Sequence, residues 1–204
     1  MTTQGNTHGR SHIILPLLVS SISLAIYLTD PQASELLRYQ RALIAQGELW
    51  RLVTGHFCHL GAMHLGLNLL GMWLVFSLFP QTLSLKTGAV ILLSSMMACS
   101  GGLWIFAPQV ESYVGLSAAL HGLIMGAAVI DFRQHVFTNS LLLLGVLAKV
   151  LWENSPYYSD TMSTLIGGQV LVQSHLFGAV SGAVAGLILL VWRRVYIKKA
   201  RIIA

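Results

Sequence analysis

The chain has 204 residues, of which 55% are hydrophobic and only 9% are charged, with a formal net charge of +5. Soluble domains average about 25% charged residues, so this composition excludes a soluble globular domain, and its high hydrophobicity excludes a disordered chain. The two cysteines, Cys58 and Cys99, are too few for a disulfide scaffold and lie in apolar stretches, which predicts buried thiols.

Charge-poor stretches predict six membrane-spanning helices, since a transmembrane helix needs about 20 mostly apolar residues. The first stretch lacks the strongly basic leader and the A-x-A site of a signal peptide, so it is kept as a span. We therefore predict an all-α membrane protein in which residues 1–204 form one bundle. The predicted spans are residues 12–29, 62–80, 87–107, 114–131, 135–152 and 170–193.

The charged residues divide between the two ends of these spans. With the amino terminus in the cytoplasm, eight of the twelve basic residues lie inside and six of the seven acidic residues lie outside. Lys and Arg prefer the cytoplasmic side of a bilayer, which predicts that both termini are inside. The basic tail, residues 193–201, then faces anionic lipid, and we expect no nucleic-acid partner because the basic residues do not form one folded face.

Two connections are long. The outer loop, residues 30–61, carries apolar residues at helical spacing over residues 35–44, which predicts a short amphipathic helix on the outer surface. Residues 153–169 are rich in Ser, Thr, Tyr and Gly, and we expect this segment to be mobile and to cap a site.

Polar side chains occur near the outer ends of the second, fourth and sixth spans. These are His64 and Asn68, then Ser117, then His175. All three spans run from outside to inside in the predicted orientation, so a rise of 1.5 Å per residue places the four side chains at similar depths. Polar residues inside a bilayer are costly and often functional, which favours one shared site.

The residue types indicate nucleophilic catalysis. A serine needs an adjacent base, and histidine is the usual one near neutral pH, so Ser117 and His175 form the natural pair. His64 and Asn68 share a helix face and can donate to an oxyanion together with the Ser117 N–H, while Gly115 permits an unusual turn before it. Since the second, fourth and sixth spans hold no acidic residue near their outer ends, where the four polar side chains lie, we expect a Ser-His dyad without a carboxylate.

Other readings stay open. His121 lies four residues after Ser117 and is either the base itself or a neighbour of His175 that shapes the pocket. A metal site is a further reading of His56, His59 and His64, although their spacing fits no familiar zinc pattern. Glycines at every fourth residue in the fourth and sixth spans predict that these two helices touch below the serine and histidine. They are Gly122 and Gly126, and Gly178, Gly182 and Gly186.

Four segments, in order, resemble the motifs of the rhomboid family of intramembrane serine proteases. In chain order these are Glu48-Leu49-Trp50-Arg51, His64-Leu65-Gly66-Leu67-Asn68, Gly115-Leu116-Ser117-Ala118 and Ser174-His175-Leu176-Phe177-Gly178. The resemblance implies that Ser117 is the nucleophile and His175 the base, with His64, Asn68, Gly115 and Leu116 around the oxyanion and substrate. Ala118 stands where the family motif has a second glycine, and His121 where many members have a tyrosine stacked on the catalytic histidine.

The segment from Gly115 to Gly122, with the six predicted spans, is most similar to the rhombosortase branch, which processes GlyGly-CTERM proteins. This implies a bacterial inner-membrane protease with its site towards the periplasm and no cofactor. Its substrates would be membrane-anchored proteins with a C-terminal transmembrane segment. The alternatives are a catalytically inactive binder of transmembrane clients and a metal-handling membrane protein.

Overall fold

The computed structural model describes residues 11–203, with side chains for residues 12–195. Arg10 and the side chains that end the basic tail lie outside the described residues. Two short strands, β1 (Tyr39–Gln40) and β2 (Ser112–Tyr113), pair antiparallel. The helices are α1 (Ser11–Leu28), α2 (Gln32–Leu37), α3 (Arg41–Ala45), α4 (Arg51–Thr54), α5 (Ala62–Leu78), α6 (Leu85–Phe106), α7 (Ser117–Asp131), α8 (Val136–Glu153), α9 (Ser163–Ile166) and α10 (Val172–Ile203).

Each predicted span corresponds to one long apolar helix, with starts that agree to within about three residues. Among the described residues, α6, α8 and α10 are long and apolar enough to cross a membrane. A fourth crossing results if the segment Arg51–Phe57 and α5, which meet at a bend of 97°, are counted together. α1 and α7 are apolar but shorter, so the count of six spans and the inside position of both termini stay predictions.

The outer loop is not the single amphipathic helix predicted over residues 35–44. Over this stretch two short helices, α2 and α3, are separated by β1, in which Tyr39 pairs with Tyr113 of β2. Tyr39 is fully buried, at 0% exposure. The prediction is wrong because this aromatic ring packs in the protein through pairing with a distant segment, which interrupts the local helical pattern.

Two arginines fasten the outer loop to the bundle. Arg51 is buried, donates to the backbone carbonyls of Glu35 and Arg38, and lies 2.6 Å from the Glu48 carboxylate. Arg41 reaches the carboxyl end of α6, where backbone carbonyls have no partner within the helix. It donates there to the carbonyls of Leu103, Trp104, Ala107 and Val110.

The main core lies between α1, α5, α6 and α7, with fully buried Met72, Ile91, Met96 and Leu123 at its centre. A second cluster lies beneath the outer loop around Tyr39, Leu103 and Tyr113. Cys58 and Cys99 are free and buried, as the sequence predicts.

α7 and α10 pack backbone against backbone, which confirms the predicted glycine contact. We call this contact the glycine seam. A Cβ added to any of the three α10 glycines would overlap the α7 backbone. The facing pairs are Gly178 with Ala118, Gly182 with Gly122, and Gly186 with Gly126.

Candidate active site

The glycine seam brings Ser117 and His175 together at one end of the bundle. Ser117 is the first residue of α7, and His175 lies in the first turn of α10. Ser117 Oγ is 2.9 Å from His175 Nε2, which is hydrogen-bonding distance. The two helices predicted to supply nucleophile and base therefore present the two side chains to each other.

The turn before Ser117 requires a glycine. Gly115 has φ +116°, in the left-handed region, and its N–H donates to the Gly55 carbonyl. A Cβ there would lie 2.7 Å from Nε2 of His64, so the absence of a side chain lets the imidazole approach the turn. The Tyr113 hydroxyl donates to the Gly115 carbonyl over 2.8 Å, and burial raises its pKa well above the ordinary value, which keeps it a neutral donor.

His64 presents a donor to the same turn. The Leu60 N–H donates to His64 Nδ1 over 3.3 Å, so this nitrogen is the acceptor of the ring. In a neutral imidazole the other nitrogen then carries the proton. The His64 Nε2–H thus lies beside Gly115 and Ser117, where an oxyanion formed on a carbonyl attacked by serine needs a donor.

Asn68 lies one turn below His64 and is 4% exposed. Its amide donates to the His64 carbonyl over 2.9 Å, which fixes the side chain along the helix. The amide carries two N–H groups, so one is available to a ligand in the cavity that Asn68 lines together with Ser117. The structure therefore brings both predicted oxyanion residues to the Ser117 side of the bundle.

His121 packs on His175 and does not contact the serine hydroxyl. The two rings are stacked with centroids 4.3 Å apart, and His121 Nδ1 lies 2.7 Å from the backbone carbonyl of Ser117. Of the two readings of the sequence, the structure favours His121 as the neighbour that shapes the pocket, since His175 and not His121 contacts Ser117 Oγ.

The expectation that no carboxylate would accompany the histidine is wrong. Glu153, the last residue of α8, places Oε2 at 2.8 Å from His175 Nδ1, and both side chains are buried. It was missed because it follows the fifth predicted span and was counted among the outer charges. A signal was present: Lys149 is a charged residue inside that span, and its spacing of four residues pairs it with Glu153.

The three histidines considered above as metal ligands form hydrogen bonds with different partners. His56 Nε2 lies 3.1 Å from the Met96 carbonyl, and His59 Nδ1 lies 3.1 Å from the Phe57 carbonyl. His64 accepts from Leu60. The geometry does not gather these imidazoles around one point, so it does not favour that reading.

Within residues 12–195, the one cluster with the side chains and spacing to hold a metal ion is His121, Glu153 and His175. The Lys149 ammonium already lies 3.1 Å from His121 Nε2 and 2.5 Å from Glu153 Oε1. The nitrogens of His175 face Glu153 and Ser117. These residues therefore suit a hydrogen-bond network in which the Lys149 ammonium, rather than a metal ion, is the cation.

Two cavities meet at Ser117. The first, of about 440 Å³, opens beneath the outer loop and has the charged residues Asp30 and Arg38 in its wall. The second, of about 420 Å³, lies between α5 and α8 and is lined by Leu67, Asn68 and Glu153, among others. Ile166, in the loop predicted to cap the site, and Val170, which follows that loop, contribute to both walls. The serine is therefore accessible from a polar side and from an apolar flank.

The Rhomboid domain model matches residues 46–192, which is more than half of the chain and includes all four motif segments. No curated protein matches the chain. Members of the matched family are generally intramembrane serine proteases, and the apolar helices described above are those of a multi-pass membrane protein. The chain belongs to the rhomboid family.

Proposed function

We propose that this chain is an intramembrane serine endopeptidase that cleaves membrane-anchored proteins close to a C-terminal transmembrane segment. The observation that carries the proposal is the 2.9 Å contact between Ser117 Oγ and His175 Nε2, in a cavity that also contains His64 and Asn68. A serine with a base within hydrogen-bond reach and donors nearby is the arrangement that acyl transfer requires.

In the first step His175 Nε2 removes the proton from Ser117 Oγ as the oxygen attacks the carbonyl carbon of the scissile peptide bond. The oxyanion of the tetrahedral intermediate accepts hydrogen bonds from His64 Nε2–H, the Asn68 amide and the N–H of Ser117, which lies in the first turn of α7. When the C–N bond breaks, protonated His175 gives its proton to the leaving amine. An ester between Ser117 and the carbonyl part of the substrate remains.

In the second step a water molecule attacks the ester carbonyl and gives its proton to His175 Nε2. The intermediate then breaks the C–O bond, His175 returns the proton to Ser117 Oγ, and a new carboxyl terminus is released. The two cavities suit this sequence, because the apolar flank between α5 and α8 can admit a transmembrane segment while the charged wall beneath the outer loop admits water.

We propose the bacterial inner membrane as the location, with Ser117 towards the periplasm, and GlyGly-CTERM anchors as the substrate class. The distribution of charge along the sequence supports this orientation. The motif from Gly115 to Gly122, which resembles that of rhombosortases, supports this class of substrate. Ala118, which departs from the family motif, is fully buried and its backbone faces Gly178, so this departure leaves the seam closed.

The test is a reporter whose periplasmic domain is followed by Gly-Gly, a transmembrane segment and a basic tail, expressed with the protein in bacterial cells. We expect the wild type to release the reporter domain into the periplasm, and Ser117→Ala to reduce release to background. Ser181→Ala is the matched control, because this serine lies on α10 and donates to the Ser94 carbonyl away from the site.

Undiminished release by Ser117→Ala would contradict the protease assignment, and capture of the reporter without cleavage would favour the inactive binder. Equal release from a reporter that lacks Gly-Gly would reject the substrate class and leave the protease in place. Cleavage only of a reporter inserted in the opposite direction would reject the orientation.

A further inference from the structure

We propose that Glu153 is a positioning residue of the catalytic machinery, and that Lys149 sets the direction of its hydrogen bonds. The inference rests on the proposed function, since it concerns the same histidine. It goes beyond a Ser-His pair, because it assigns a role to an ion pair at the carboxyl end of α8, outside the four motif segments.

Glu153 determines the tautomer of His175. An ionised carboxylate only accepts hydrogen bonds, so Glu153 Oε2, at 2.8 Å, requires the proton of the ring to be on Nδ1. The lone pair is then on Nε2, which faces Ser117 Oγ at 2.9 Å. This is the only neutral form of the ring that can take the serine proton.

Lys149 determines which oxygen of Glu153 faces His175, because its ammonium group only donates hydrogen bonds. It donates to Glu153 Oε1 over 2.5 Å, which leaves Oε2 to His175, and it lies 3.1 Å from His121 Nε2. His121 therefore accepts at Nε2 and donates from Nδ1 to the Ser117 carbonyl over 2.7 Å. One ammonium thus fixes the direction of two hydrogen-bond chains, and both chains end at Ser117.

Burial separates this arrangement from an ordinary surface ion pair. The Glu153 side chain is 9% exposed and that of Lys149 is 49% exposed, so the carboxylate faces inward and the lysine closes the network from outside. Glu153 is also one of three buried residues on a helix whose surface is otherwise largely exposed. A carboxylate that served only to solvate the end of α8 would not need to be enclosed against His175.

The decisive variant is Glu153→Gln. Lys149 continues to donate to the carboxamide oxygen, which turns the amide NH₂ towards His175 Nδ1. That nitrogen must then accept, the proton moves to Nε2, and the base for Ser117 is lost. We expect kcat for the Gly-Gly reporter in detergent to fall about 10²–10⁴-fold, which is the usual contribution of a general base, with KM little changed.

The second variant is Lys149→Met/Glu153→Gln. Without the lysine the carboxamide is free to rotate and to present its oxygen to Nδ1–H, so we expect kcat to recover at least about tenfold over Glu153→Gln alone. If the ion pair were merely structural, removal of its second partner would not restore activity, and kcat would stay as low as in Glu153→Gln. Glu48→Gln, which changes the carboxylate paired with Arg51 in the outer loop, is the matched control for the loss of an acidic residue.

A measurement on the wild type keeps the proposal testable if the variants do not fold. Nitrogen-15 spectra of the labelled histidines, assigned by comparison with His175→Asn, should show His175 protonated at Nδ1 and unprotonated at Nε2. Protonation at Nε2 instead, or a folded Glu153→Gln protein with kcat within twofold of the wild type, would overturn the placement of Glu153. A folded wild type that neither cleaves the reporter nor reacts with a fluorophosphonate would overturn the proposed function itself.

Discussion

α7 and α8 belong to the same bundle but are held in it in different ways. Nine of the 15 residues of α7 are buried, and its backbone touches that of α10 along the glycine seam. Only three of the 18 residues of α8 are buried: Asn139, Val150 and Glu153. Ser117 and His175 thus lie on a closely packed pair of helices, whereas Glu153, the proposed positioning residue, is carried by a helix attached through few side chains.

This difference separates two requirements of the proposed intramembrane protease. The distance between Ser117 and His175 has to be fixed, because proton transfer depends on it, and backbone contacts fix it. The flank between α5 and α8 has to admit a substrate, and a helix with few buried residues can move at lower cost. Glu153 connects the two regions, since it reaches from the loosely held helix to the fixed histidine.

The largest effect should come from opening the glycine seam. Gly182→Ala places a Cβ against the backbone of Gly122, so the two helices must separate, at a cost of about 1–3 kcal/mol or more. We expect a lower thermal unfolding temperature in detergent and loss of reporter cleavage. Gly145→Ala on α8 is the control, because a Cβ there meets no atom within 4 Å. If Gly182→Ala and Gly145→Ala had equal unfolding temperatures and cleavage rates, the tighter packing of α7 relative to α8 would be contradicted.

A smaller effect is expected from His64, the proposed oxyanion donor, which lies on α5 beside the cavity. His64→Ala removes the Nε2–H near Gly115 without touching the seam, so the fold should persist while kcat falls about 10²–10³-fold. Steady-state kinetics on the reporter measures this, with KM little changed. His135→Ala, at the exposed start of α8, should retain wild-type kcat. A loss confined to KM would show that His64 binds substrate and does not stabilise the oxyanion.

The smallest effect is expected in the loop between α8 and α10. Asp160 accepts from the N–H groups of Met162 and Ser163 at one oxygen and from that of Val170 at the other. Asp160→Ala should loosen this cover. Each hydrogen bond lost is worth about 0.5–1.5 kcal/mol, so we expect KM to rise at least about twofold. Asp160→Asn keeps one acceptor oxygen and should change KM less. A large fall in kcat would instead place the loop in the chemistry.

Short-range patterns in the sequence predicted the positions of the long helices and the contact between α7 and α10. Runs of apolar residues defined the starts of the long helices to within about three residues, because a helix in lipid satisfies its own backbone, although α10 continues ten residues beyond the predicted end at residue 193. Glycines at every fourth residue predicted the contact of α7 with α10. The shared direction of three helices predicted that Ser117 and His175 would meet, which the 2.9 Å contact now supports.

Features that depend on contacts between residues far apart in the sequence are not predicted by these patterns. The break in the outer loop follows from pairing of Tyr39 with Tyr113, and no local pattern near Tyr39 indicates that partner. Glu153 lies just beyond the predicted end of the fifth span, so its position in the sequence indicates an outer charge, whereas its side chain points back into the bundle. Lys149 was the available signal, since a charge inside a span requires a partner.

Whether Ser117 is a nucleophile activated by His175 can be decided by mapping the site of a fluorophosphonate adduct. The folded wild-type protein in detergent is reacted with the probe, and the modified peptide is identified by mass spectrometry. We expect a single adduct at Ser117 that His175→Asn abolishes while the protein stays folded. An adduct on another serine, or a folded wild type that does not react, would contradict it.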